Sequence, residues 1–365
     1  MSLEAGKDSY KADALDGGIV TYRPAHLIGD HQSPNAQNFD PTVYGQLKKR
    51  KGFIKFTSAA KVSPTGTFVS GLFSAATSGG TAYVWASEGT TLHDVSAGTW
   101  PAALTGTAIT VDTPVRMFMF NDLLIIANQG GGPWKHTPGA TSVSTLGGSP
   151  PASARGGGIH RSRVFFYTNT SVLSFSALNN EEDYTTADNA GSITINKGDG
   201  FIINGFMSGG DFAIVSKIAP SSGAKEGALY VLFGSSPFDF SVRKLANTGT
   251  LQQEAMLPYD NFVSVATQRG IFGVQGRNIF KLSKLIQPTY DDVTNKGTFA
   301  IGRKGTVLKH AYPSTGTVNN EQFLLDVERG VWGKDTGKNA RVFANHPDGR
   351  LLFGTSSTSI LVWED

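Results

Sequence analysis

The stretch Asp260–Ser283, DNFVSVATQRGIFGVQGRNIFKLS, holds three apolar runs: Phe262–Ala266, Ile271–Val274 and Ile279–Leu282. Only Thr267–Gly270 separates the first two, and only Gln275–Asn278 the last two. A connection this short cannot carry a crossover, so adjacent runs must pair as antiparallel hairpins. A chain that turns back this often cannot build a parallel sheet or a helical bundle.

The pattern recurs along the chain. Ala82–Trp85 precedes Leu92–Val95, Met117–Phe120 precedes Leu123–Ile126, and Arg163–Tyr167 precedes Val172–Phe175. Phe212–Val215 and Leu229–Phe233 form another pair, and Gln322–Leu325 leads to Gly330–Trp332. The last unit is Arg341–Ala344, Leu351–Phe353 and Ile360–Trp363. The runs are rich in Val, Ile, Phe, Tyr and Trp and are punctuated by Gly, Asn, Asp and Ser, the composition of strands and tight turns. The 44 glycines and the 17% charged fraction point the same way. Apolar spacing of three and four residues is confined to about one turn near Leu251–Met256.

One marker per unit (Val84, Ile125, Phe165, Ile214, Phe272, Leu324, Phe353) gives uneven intervals that average near the ~40–50 residues of a propeller blade. Small sheets in series each have an apolar face and exposed edges, and radial stacking buries the faces and leaves only short edges. The expected fold is therefore all-β: a β-propeller of about seven blades, with six as the other count. A pair of sandwiches or a β-solenoid is the structural alternative. Ile360–Trp363 needs an outer neighbour, and Gly52–Thr57 is the candidate, which would close the ring by pairing N-terminal and C-terminal strands. Residues 1–50, with Pro24, Pro34 and Pro41 and few apolar runs, read as an extended arm ahead of a propeller over 51–365.

Several chemistries find no support. Without cysteine there is no disulfide framework, zinc–thiolate site or thiol nucleophile. No apolar stretch approaches the length of a membrane span, and MSLEAGKDSYKADALDGG lacks the apolar core of a secretion signal. A reducing cytoplasm fits this composition. The net charge of +3 is too small to argue for nucleic acid by itself. His26, Asp30 and His31 form the one loop trio with metal-ligand chemistry, more simply read as polar loop. His160 with Arg161 and Arg163 reads either as channel-facing or as a surface turn. Glu181–Asp183 and Asp291–Asp292 are the carboxylate clusters, but hydrolysis of a glycoside needs two carboxylates across one sugar, and both clusters fall between strands. Asp199 reads as a turn residue. Gly130–Pro133 and Gly156–Gly158 lack the phosphate-loop pattern. Trp85, Trp100, Trp134, Trp332 and Trp363 read as blade packing, or else as an aromatic sugar platform. No catalytic residue, metal or cofactor is expected.

The charge cluster is Lys48-Lys49-Arg50-Lys51. It suits contact with DNA phosphates or with an acidic subunit, and equally a solvated turn that guards a strand edge. It follows Ser33-Pro34-Asn35-Ala36-Gln37-Asn38-Phe39-Asp40-Pro41 and sits inside Gly45-Gln46-Leu47-Lys48-Lys49-Arg50-Lys51-Gly52-Phe53. This order resembles the N-terminal pattern of tail-hub or nozzle proteins of short-tailed phages, also called DNA-stabilisation or head-completion proteins. The order Arg163–Phe175, Asn180–Tyr184, Ile193–Ile195, Gly198–Gly200, Gly209–Lys217, Tyr230–Gly234, Pro237–Phe240 and Gly249-Thr250 adds to it. The resemblance covers residues 20–60 closely and 160–285 more loosely.

The resemblance implies a propeller in a homo-oligomeric ring of usually six copies, below a portal and adaptor. Such a ring extends the DNA exit channel of the virion tail, holds fibres or a needle, and assembles in the host cytoplasm. Pro34, Asn35, Asn38, Phe39, Lys48, Lys49, Arg50 and Lys51 are the expected contacts with neighbouring subunits. The competing reading is a propeller lectin or host-receptor-binding module of a virion, and a propeller glycosidase is the third.

Overall fold

A computed structural model describes residues 17–29, 31–42, 48–61, 66–220, 227–355 and 361–364. Seven antiparallel sheets follow one another along the chain as the blades of a β-propeller. Blade one is Val69–Ala76, Ala82–Glu88 and Thr91–Asp94, and blade two is Arg116–Phe120, Leu123–Asn128, Gly131–His136 and Ser144–Thr145. Blade three is Gly156–His160, Arg163–Tyr167, Val172–Phe175 and Gly191–Thr194; blade four is Ile202–Ser208, Phe212–Ile218, Gly227–Phe233 and Ser241–Ala246. Blade five, Met256–Tyr259, Phe262–Thr267, Gly270–Gln275 and Asn278–Lys281, contains the two successive hairpins seen in the sequence. Blade six is Ala300–Lys304, Val307–Tyr312, Glu321–Asp326 and Val331–Thr336. Blade seven joins Ala340–Asn345, Leu351–Thr355 and Leu361–Glu364 to Phe53–Lys55, whose register sets Ile54 opposite Trp363 and Lys55 opposite Val362.

The first strand of each blade packs against the first strands of its neighbours, so these seven strands surround the axis. The middle strands are buried on both faces, and their side-chain alternation sends successive residues to opposite blades. In blade five, Val263 and Val265 join a cluster with blade four, while Phe262 and Ala266 join one with blade six. In blade three, Phe165 and Tyr167 pack toward blade four, and Val164 and Phe166 toward blade two. The buried apolar residues thus divide into seven clusters, one at each seam between blades.

The seams are unequal. Among the described residues, the apolar cluster between blades six and seven is Ala311, Ala340, Phe353 and Val362, with Phe343 half-buried against them. Polar groups supplement it: buried Asn319 donates from Nδ2 to Ala340 O at 2.8 Å, and buried Lys338 and Asp335 pair at 3.0 Å. The N-terminal segment crosses this same seam. It lies along the outer strand of blade six and then becomes the outer strand of blade seven.

The axial strands carry the glycines that a sequence reading does not assign to strands. Gly156–Gly158 is the first strand of blade three, where a Cβ on Gly157 would lie 2.0 Å from Phe165 O. Only glycine permits that approach. The axial strands of blades one, four and seven each shift register near their start, at Val69/Gly71, Ile203/Gly205 and Ala340/Val342, as bulged strands do. The sole α-helix among the described residues is the short Gln287–Asp291 between blades five and six.

Candidate functional site

The outer strand of blade six, Val331–Thr336, would be an open edge, and the N-terminal segment covers it. Ile19 N–H donates to Trp332 O (2.8 Å), Gln37 bridges Lys334 in parallel, and Asn38 N–H donates to Lys334 O (2.8 Å). Ile19, Val20 and Phe39 are buried, and Ile19 and Phe39 join the cluster containing Trp332. An arm that reads as lacking a core of its own therefore borrows one from its own propeller.

Asn38 organises the turn. With φ of 59° it occupies the left-handed region that Asn tolerates. Its Nδ2 donates to Thr336 Oγ1, while its Oδ1 accepts from Thr336 N–H and Arg50 Nε, each at 3.0 Å. Arg50 also donates from Nη2 to Thr336 O (3.1 Å) and lies 3.4 Å from Asp335. Asn38, Phe39 and Arg50 are thus engaged within the chain. Pro34, Asn35, Lys48, Lys49 and Lys51 remain exposed. Gly45–Leu47, the rest of that motif, lie outside the described residues, as does Asp30 of the His26–Asp30–His31 trio.

Between this strap and blades six and seven lies a groove of about 580 Å³. Among the described residues, Arg50, Lys51, Lys304, Lys309 and Lys338 line it, against Asp40 and Asp335 as the carboxylates. The surplus of positive charge favours an acidic partner surface or phosphates. Two residues of the sequence cluster, Arg50 and Lys51, thus form one bank of a basic groove whose other bank comes from blade six and the link to blade seven, while Lys48 and Lys49 line a separate recess under the strap with Asn35–Phe39.

The propeller axis is closed at one end. The 3-10 turn Gln253–Ala255 follows blade four, and its side chains reach across the axis. Gln252 donates to Phe299 O ahead of blade six. Gln253 donates to Gly157 O of blade three (2.8 Å), and Glu254 pairs with Arg116 of blade two at 2.7 Å. The one helical turn legible in the sequence, Leu251–Met256, thus becomes an axial plug. Beyond it the axis holds a cavity of about 410 Å³ whose lining includes Leu72, Met117, Ile159, Met207, Leu257 and Ile301. Arg116, Gln253 and Glu254 also line this cavity, so the ion pair of the plug borders an otherwise mostly apolar axial space.

The remaining candidates fall into structural roles. Trp85, Trp134 and Trp332 are buried between blades, and Trp100 meets His93 edge-on at 5.3 Å, so these four form no sugar platform. His160 is buried, with Nδ1 3.0 Å from Ser208 Oγ, and Arg163 is buried as well, so neither stands on a surface turn. Burial, helped by the Arg161 charge, lowers the His160 pKa to about 4. His310, fully buried, is lowered by burial to about 3.

The carboxylate clusters sit apart, one within blade three and the other after blade five. Glu182 binds Lys135 (2.6 Å), which is the main cause of its lowered pKa, and Asp183 caps the Thr185 and Thr186 amides. Asp199 is more than a turn residue: it pairs at 2.7 Å with Lys217, whose side chain is fully buried. Burial alone would raise the Asp199 pKa, but the Lys217 bond and the Phe201 amide outweigh it and the net shift is downward. Among the described residues, no group of three His, Asp or Glu is placed to hold a metal. No helix there is long and apolar enough to cross a membrane.

No protein-family model and no curated protein matches the chain. Among solved structures, it is similar to the extracellular domain of a protein described as a one-component system, BT4673, from B. thetaiotaomicron. The TM-score is 0.59 at 10% identity, over 86% of this chain and 40% of that one. The likeness is one of fold, the β-propeller, and this chain spans less than half the length of that solved chain.

Proposed function

We propose that the chain is a non-enzymatic structural subunit of a short phage tail, a hub or nozzle component placed below a portal and adaptor. The observation that carries this reading is the strap. Residues within the tail-hub-like pattern, Asn38, Phe39 and Arg50, hold the strap against the outer edge of blade six, and Arg50 and Lys51 line a basic groove beside it. A rigid propeller whose exposed lysines sit on a fixed outer edge suits docking into a ring by head-to-tail contacts. The plugged axis is compatible with such a ring only if DNA passes between subunits, through a lumen they enclose together.

In this reading, Lys48, Lys49 and Lys51 meet an acidic neighbour, while Asn38, Phe39 and Arg50 hold the strap that presents them. The test is co-sedimentation of the purified chain with portal–adaptor complexes over a salt series. Lys48→Ala/Lys49→Ala/Lys51→Ala should keep the native melting temperature, bind more weakly and lose much of the salt dependence. Unchanged binding and salt dependence in the triple variant would remove the cluster from the interface.

A further inference from the structure

Beside the plug, on the side of blades two to four, a pocket of about 120 Å³ has Arg116, Arg155, Tyr167, Asn204 and Gln252 in its walls. Its polar groups are not all paired. Arg116 is 8% exposed, and although Nη1 meets Glu254, its Nε has no hydrogen-bond partner among the described residues. Asn204 Oδ1 is buried without a partner, because the Nδ2 of the same amide is held by Thr250 O and fixes its orientation. Buried donors and acceptors left open cost free energy unless a water or a ligand fills them.

The pocket does not end there. Gln129 and Arg155 also line an adjoining bowl of about 680 Å³, walled by Thr110, Ser153, Thr168 and Asn169 among others. Arg155 is steadied by Nη1 donating to Asn169 Oδ1 at 2.8 Å. A guanidinium at the base of a recess opening onto hydroxyls and amides provides for one charged group attached to a hydroxylated body.

We infer that this recess binds a carboxylate-bearing sugar, with the carboxylate between Arg116 and Arg155 and the ring hydroxyls in the bowl. A carboxylate matches the planar guanidinium fork. A hydroxyl of the sugar can donate to an open acceptor such as Asn204 Oδ1, whereas a dianionic phosphate group has no proton to give it. The site is built from blades two to four and the plug, and the strap lies on blades six and seven. It does not depend on assembly into a tail.

The experiment is calorimetric titration of the full chain with galacturonate, galactose, acetate and inorganic phosphate, with melting temperatures as the fold control. Galacturonate should bind in the millimolar range or tighter, acetate and phosphate more weakly, and galactose undetectably. Arg155→Gln, at a half-buried position, should weaken galacturonate about tenfold (~1.4 kcal/mol). Gln129→Ala should weaken galacturonate while leaving acetate unchanged. Absence of galacturonate binding, equal binding of galactose, phosphate binding more tightly than galacturonate, or indifference to both substitutions would each overturn the assignment.

Discussion

His310 shows how far a residue's role can lie from its place in the sequence. It sits beside Lys309 in the otherwise apolar strand Val307–Tyr312, and the fold buries it fully, Nε2 3.3 Å from Ser264 of blade five. Burial lowers its pKa from 6.5 to about 3, and His160 moves likewise to about 4. The unfolded chain takes up these protons near pH ~6.5, whereas the folded chain does not until far lower, so the unfolded state binds more protons in between. Stability to urea should therefore fall as pH drops from about 6.5 toward 4, by up to ~1.4 kcal/mol per pH unit for each such histidine. His310→Gln should flatten that slope, and an identical slope in the variant would show that His310 is not held neutral. None of this is legible in the sequence, because burial is set by partners in another blade. The same holds for Glu254 with Arg116 and for Asp199 with Lys217: sequence spacing does not show which charges meet across an axis or beneath a hairpin.

Strands were legible where both faces are buried and hidden where backbones crowd. Phe262–Thr267, Gly270–Gln275 and Asn278–Lys281 match the apolar runs to within about two residues, because each is a bounded run with turn residues at its ends. Val69–Ala76, Gly156–His160, Ile202–Ser208 and Ala300–Lys304 were missed. All are axial strands with glycines or small residues at close approaches, and composition makes such a stretch look like loop. The N-terminal segment has the converse property. Its prolines and polar residues suit a strap that pairs by backbone and a few side chains on an edge already formed. A chain lacking residues 1–57 would expose the outer edges of blades six and seven at once, over the thinnest apolar seam. It should melt at a lower temperature and associate through those edges, as read by calorimetry and light scattering. An unchanged melting temperature in a monomeric product would mean that the strap contributes nothing to closure.

For the molecule as a whole, the repeat of antiparallel units points to a propeller of about seven blades, with six left open; the fold has seven, and each of the seven marker residues falls in a different blade. Val84, Ile125, Phe165, Ile214 and Phe353 lie in second strands, and Phe272 and Leu324 in third strands. The uneven spacing reflects loops and plug, not missing blades. What the repeat could not disclose is that the axis is closed by Gln252–Glu254, so any passage for DNA has to be built by several copies. The most direct test is cryo-electron microscopy of the purified chain bound to portal–adaptor complexes. The account predicts a closed ring, six-fold where the portal's own symmetry permits, with propeller axes offset from a DNA-wide lumen and the Lys48–Lys51 edge at a subunit contact. Propellers that remain monomeric in the presence of those complexes, leaving them undecorated, would contradict it.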